Sequence, residues 1–239
     1  MRILGIESAS LVASAAIVED DAVIAEYTVN NKKTHSQTLL PMIDEIFRMT
    51  ERTPEMMDAV AVAAGPGSFT GLRIGSATAK GIALALDIPV IPVPTTDAMA
   101  YQFFGCAHRI CPILDARRSE VYTGIYRFEK DFEVLMPASA MPLTQLMEII
   151  RREPGPVVFT GDGVPVFRER IVEALGKDAL FAPPMAARQR AAAVASLGAE
   201  MFRAGIADTA DEHKPEYLRV SQAERVRAER EKAAGDQTQ

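Results

Sequence analysis

Two cysteines, Cys106 and Cys111, are too few for a disulfide framework in a chain of 239 residues, which predicts a reducing, cytoplasmic setting. With His108 they would offer a metal at most three ligands, one fewer than a closed zinc site takes, and they read as small half-buried residues beside a surface histidine. Histidine is almost as scarce. His35, His108 and His213 stand far apart, so no two of them share a helical face at the spacing that presents paired imidazoles to a metal. Basic residues fall short of acidic ones, 26 against 32, and a net charge of -6 argues against a protein that grips nucleic acid by itself. Arg117, Arg118, Arg151, Arg152, Arg188 and Arg190 accordingly read as solvated surface. Nor is there a stretch of about 18 uncharged apolar residues to cross a membrane. The apolar start, MRILGIESASLVASAAIV, carries Glu7 where a secretory peptide needs an unbroken apolar segment, so it reads as strands.

What is present suits a buried core: 48% of the residues are hydrophobic. Residues 2–7 read as a buried strand, and 12–19 with 22–29 as a hairpin turning at Asp20-Asp21. Leu39, Leu40, Ile43, Ile46 and Phe47 recur at helical spacing over 35–52, with Thr34 or Ser36 as cap. A strand at 58–64, a glycine loop, a helix over about 70–86 and a short strand at 88–92 follow. The second half repeats the order, with strands at 110–115, 120–128 and 131–136, a helix at 142–152, a strand at 157–160 and the loop GDG. A helix at 164–176, a last strand at 179–181 and a long helix over 188–205 close the pattern. This duplicated βββαβα plan predicts an α/β fold of two lobes with a cleft between them, as in the actin, sugar kinase and Hsp70 superfamily. The first lobe takes 1–100 with the segment 188–220, the second takes 101–187, and the charged stretch 221–239 reads as a disordered tail.

The segment GPGSFTGLRIG, residues 65–75, sits where a phosphate loop would. It fails the Walker pattern, since Gly71 is followed by Leu72 and Arg73, and the dinucleotide pattern, since Thr70 stands where the third glycine belongs. Ser68 or Thr70 caps the following helix, or the helix N-terminus meets an anion. Two rows of small residues continue from it, Gly71-Gly75-Ala79-Ala83 and Ala77-Gly81-Ala85. A glycine inside a helix costs about 1 kcal/mol relative to alanine, so close contacts should compensate, one row packing on the lobe's own sheet and the other meeting a partner. Arg73, in the helix's first turn, faces an unfavourable dipole end and calls for an anion beside it.

HSQTLLPMI (35–43), GPGSFTGLRIG (65–75), DARRSEVY (115–122), GDG (161–163) and PEYLR (215–219) together resemble the TsaB/YeaZ family. The resemblance implies a two-lobed actin-like, ribonuclease H-like α/β protein (ASKHA superfamily) acting without catalysis in bacterial tRNA threonylcarbamoyladenosine synthesis. It implies pairing with the transferase TsaD, joined by the ATPase TsaE, a homodimer when alone, and tRNA reached only through the complex. The N-lobe helices carry the pairing, which assigns partner contacts to His35, Leu39, Met42, Ile43, Phe47, Gly71, Leu72, Arg73, Gly75, Ala79, Ile82 and Ala83. Leucine at Gly75 and Ala79 should then abolish pairing and leave the monomer folded. No intrinsic cofactor is implied, only ATP or ADP with magnesium in the complex. Candidate cleft positions are Glu7, Ser8, Gly65, Gly67, Ser68, Asp115, Gly161 and Gly163, with Asp115 and Glu120 divided between cleft and hairpin roles. Glu7 departs from the aspartate that many relatives carry there. The competing reading is an enzyme: a cleft ATPase, small-molecule kinase or glycoprotease of the same superfamily.

Overall fold

A computed structural model describes residues 1–31 and 34–219; the tail expected at 221–239 lies outside them. The chain opens on an antiparallel meander of β1 (Arg2–Glu7), β2 (Ala13–Glu19) and β3 (Ala22–Val29). Asp20, in the left-handed region at φ 51°, makes the turn between the last two. α1 (His35–Thr50) leads to β4 (Ala59–Gly65), which runs parallel to β1, and α2 (Phe69–Leu86) leads to β5 (Val90–Pro94). The sheet order is β3-β2-β1-β4-β5. The strand β4, AVAVAAG, is buried throughout, as expected of a strand covered on both faces.

A short helix, α3 (Thr95–Tyr101), precedes the second half. There β6 (Cys106–Asp115), β7 (Glu120–Phe128) and β8 (Phe132–Pro142) form the meander. α4 (Leu143–Arg151), β9 (Val157–Thr160), α5 (Val164–Leu175) and β10 (Ala179–Phe181) complete the lobe. The order β8-β7-β6-β9-β10 repeats that of the first sheet strand for strand. β8 continues past Met136 through Pro137, where the sequence suggested an end. As an edge strand it tolerates a residue without an N–H, and the pairing with β7 is irregular at that point.

Each sheet is a middle layer. Leu39, Met42, Ile43, Ile46 and Phe47 of α1, with Ala79 and Ala83 of α2, pack against Leu4, Ile6, Ile17, Val60 and Val62 on one face of the first sheet. The opposite face receives α6 (Ala191–Arg203), which returns to the first lobe after the second is complete. Its approach depends on two glycines: a Cβ at Gly5 would run into the Ala191 carbonyl, and one at Gly198 into the Ala61 side chain. Its start is pinned by Glu26, which accepts from Ala192 N at 3.0 Å and from the Arg190 guanidinium, a carboxylate where the helix dipole favours one. In the second lobe α4 and α5 bury Leu143, Leu146, Ile150, Phe167 and Ile171 on one face, and α3 lies against the other. Tyr126 of β7, fully buried, donates its hydroxyl to Asp97 Oδ1 at 2.8 Å and lies 2.8 Å from the Thr96 hydroxyl of the same helix α3, and so ties the lobes at their hinge.

Candidate functional site

The chain leaving β1 (Ala9, Ser10, Leu11) and the end of β6 (Leu114, Asp115) border a cleft of about 480 Å³ between the lobes. Each glycine loop is fastened to the end of its own lobe's first strand. Ser68 N donates to Ala9 O at 2.6 Å in the first lobe, and Gly163 N donates to Ile113 O at 3.0 Å in the second. A Cβ at Gly67 would collide with the Ala9 carbonyl, and one at Gly161 or Gly163 with that of Ile113. The glycines therefore answer to main-chain contact within each lobe. Ser68 Oγ accepts from Gly71 N at 3.3 Å, capping α2 as one of the two sequence readings expected.

Of the positions expected in the cleft, Gly67, Ser68 and Asp115 border it. The other five do not. Glu7 and Ser8 are each 1% exposed and lie beneath the wall, Gly65 is covered by the Glu216 carbonyl, and Gly161 and Gly163 are buried. Ser8 Oγ donates to Gly71 O at 2.9 Å, joining the end of β1 to α2. Glu7 Oε1 accepts from Ala9 N at 2.6 Å, while Oε2 has no partner among the described residues. Burial, opposed by that N–H and aided by the negative charge of Asp162, pushes the Glu7 carboxyl from 4.5 to about 8. Asp162 is raised too, chiefly by burial, although it accepts from Asp115 N at 3.2 Å. Asp115 in turn accepts from Arg117 N at 2.8 Å. Glu120 stands apart from this group and pairs with Arg219 at 2.6 Å. Arg117, Arg118 and Ser119 all adopt positive φ in the intervening turn.

The cysteines form no site. Cys111 is fully buried beside Thr123, and burial pushes its thiol up to about 12. Among the described residues no group of three or more His, Cys, Asp or Glu could hold a metal ion.

On the outer helices the residues expected to meet a partner lie mostly inward. Leu39, Met42, Ile43, Phe47, Leu72, Ala79 and Ala83 are core residues of this chain, and Gly71 and Gly75 are pressed against Ser8. They face the core of their own lobe and offer a partner little surface. A Cβ at Gly75 would run into Ser8 Oγ, so leucine there should strain the monomer as well as any pairing. Ile82 is half-buried in the same core, and His35 is held with Nε2 2.7 Å from Ser10 O. Arg73 is exposed, yet no carboxylate pairs with it among the described residues. Its guanidinium sits 4.2 Å above the Phe69 ring and its Nε donates to the Tyr217 hydroxyl at 3.2 Å.

The second small row is the open one. Ala77, Gly81 and Ala85 are exposed, and a Cβ at Gly81 would meet nothing within 4 Å. Leu84 is 68% exposed and lies within about 60° of Ala77 and Gly81 around the helix. On the neighbouring α1, Leu40 is 56% exposed on one flank and Met49 68% on the other. Spacing alone grouped Leu40 with the core leucines; its place one residue beyond Leu39 turns it outward by about 100°.

Comparison with known proteins adds the family. A model of TsaD, tRNA N6-adenosine threonylcarbamoyltransferase, matches residues 22–226. TsaB of Bacillus subtilis, a tRNA threonylcarbamoyladenosine biosynthesis protein, is 33% identical over 227 residues, covering 94% of this chain and 96% of that one. This chain belongs to the TsaB/YeaZ family. The TsaB of Escherichia coli is 36% identical over 147 residues, 57% of this chain and 63% of its own. YeaZ from Pseudomonas aeruginosa superposes with a TM-score of 0.75 at 24% identity, covering 91% and 99% of the two chains, and so shares the two-lobed fold. Component A of (R)-2-hydroxyglutaryl-CoA dehydratase from Acidaminococcus fermentans, at 0.51 and 14% over 84% and 97%, carries the fold further from the TsaB/YeaZ family. No helix among the described residues is long and apolar enough to cross a membrane.

Proposed function

We propose that this member of the TsaB/YeaZ family serves tRNA threonylcarbamoyladenosine synthesis as a docking subunit that makes the transferase TsaD competent, and performs no transfer itself. The carrying observation is the outward face of α2, where Ala77, Gly81 and Ala85 leave a smooth surface beside the exposed Leu84. A helix with so little bulk on its outer face lets another helix approach closely, and Leu84 and Leu40 supply apolar area for burial. The same face serves a second copy of this chain when TsaD is absent. TsaE, ATP or ADP with magnesium, and tRNA are engaged by the assembled complex.

The chemistry at hand supports a non-catalytic part. His35 is tied to Ser10, His108 is exposed and His213 is buried, so the imidazoles do not converge. Glu7 is 1% exposed and does not border the cleft, so it is not placed to act as a base on a molecule held there.

Gly81→Arg tests the reading. Nothing opposes a side chain at this position, and replacing a mid-helix glycine favours the helix, so the monomer should melt at or slightly above the parent temperature. Co-elution with TsaD on size exclusion should be lost. A complex that survives Gly81→Arg together with Leu84→Glu would overturn the proposal.

A further inference from the structure

The segment 208–219 runs back along the first lobe and then crosses the cleft. Asp208 exchanges two backbone hydrogen bonds with Val90 of β5, at 2.8 and 2.9 Å. Lys80 Nζ on α2 donates to the carbonyls of Asp211 and His213 at 3.3 and 3.1 Å, with the His213 side chain buried. Glu216 N donates to Ala64 O at 2.7 Å. To this point the segment belongs to the first lobe.

Beyond Glu216 side chains make the contacts. The Tyr217 ring stacks on Phe69 with centroids 4.1 Å apart and planes 23° from parallel. The Arg219 guanidinium reaches the second lobe, donating to Ala116 O at 2.8 Å and pairing with Glu120 at 2.6 Å. Glu216, Tyr217, Leu218 and Arg219 all border the cleft, together with Ser10 and Val166. Arg219 therefore holds both ends of a turn in which three consecutive residues, Arg117, Arg118 and Ser119, have φ of 66°, 55° and 60°. Such conformations cost roughly 1 kcal/mol or more each outside glycine and persist only where the surroundings impose them.

We propose that residues 217–219 form a latch over the interlobe cleft, with the Arg219–Glu120 pair as its catch. Closed, the latch shields the cleft floor and holds the strained turn in place. With the catch broken, the crossing residues swing away on the anchored part of the segment, the turn relaxes and the floor becomes reachable from solvent. The latch needs no partner and is independent of the docking face on α2.

Ser10 supplies the probe, because it borders the cleft while its Oγ is closed to solvent. In Ser10→Cys, modification by a soluble disulfide reagent should be slow. Adding Arg219→Ala or Glu120→Ala should accelerate it at least ten-fold, and the reversed pair Arg219→Glu/Glu120→Arg should bring the rate back toward that of Ser10→Cys alone. The natural thiols set the controls: the chain without Ser10→Cys gives the background from the half-buried Cys106, and the buried Cys111 reports opening of the core. An unchanged rate in Arg219→Ala overturns the latch. So does a rise at Cys111 that matches the rise at the introduced thiol in kinetics and urea dependence, since the cleft would then open only by general unfolding.

Discussion

Glu7 ends the first strand, enclosed by the strands and helices that pack around it. In the structure it is 1% exposed with one oxygen unpartnered among the described residues. Its carboxyl is raised from 4.5 to about 8, so the folded state keeps a proton that the unfolded chain has released. The resulting contribution to stability is complete below about pH 4.5 and is lost as pH rises toward 8, by an amount on the order of 4 kcal/mol. Glu7→Gln keeps an oxygen for Ala9 N–H and removes the titration. Its stability relative to the parent should therefore grow steadily in urea titrations between pH 5 and 8, and a constant difference across that range would contradict the buried neutral acid. His213, whose pKa burial lowers, acts in the opposite sense: its share of stability is present above about 6.5 and falls as pH drops. That term is common to parent and variant and cancels in the comparison.

At the scale of the element, α2 was readable as a helix of two small-residue rows launched by a cap at Ser68 or Thr70; the rows are present and Ser68 is the cap. Which row faces inward was not readable. A row of Gly and Ala at a spacing of four fits a sheet and a partner equally well, and the choice is made by Ser8, which rises from the end of β1 beneath Gly71 and Gly75. The two rows should respond oppositely to the same substitution. Gly75→Leu overfills a buried site against Ser8 and should cost at least about 2 kcal/mol. Gly81→Leu points into open space and should stabilise by up to about 1 kcal/mol. Chemical denaturation of both proteins checks this, and equal effects would mean the helix sits in another rotation. α3 went unread for a related reason. Its seven residues, TTDAMAY, follow Pro94 without a side-chain cap, and five of them are buried, so no polar face marks a helical period.

The whole molecule follows from a plan that repeats in topology and differs in detail. The duplication was visible in the order of strands, helices and glycine loops, and the two sheets repeat it strand for strand. What joins the halves was only partly visible: the segment 188–220, which contains α6, was placed with the first lobe, but the ties between the lobes rest on contacts between residues far apart in sequence, Arg219 on Glu120 and Tyr126 on α3. The last of these is the internal joint. Tyr126 is fully buried, with Gly124 leaving room for its ring, and its hydroxyl reaches Thr96 and Asp97 across the hinge. Burial raises the pKa of Asp97, and the Tyr126 hydroxyl is the first of the bonds that favour its charged form. Tyr126→Phe keeps the ring packing and strands the Asp97 carboxylate in a half-buried site. A lost bond to a charged group there should cost about 2 kcal/mol, or roughly 4 °C in melting temperature for a chain of this length. Adding Asp97→Asn, which removes the stranded charge, should recover part of the loss. If Tyr126→Phe melts with the parent, the hinge is held by packing alone and the hydroxyl bridge contributes nothing to the association of the lobes.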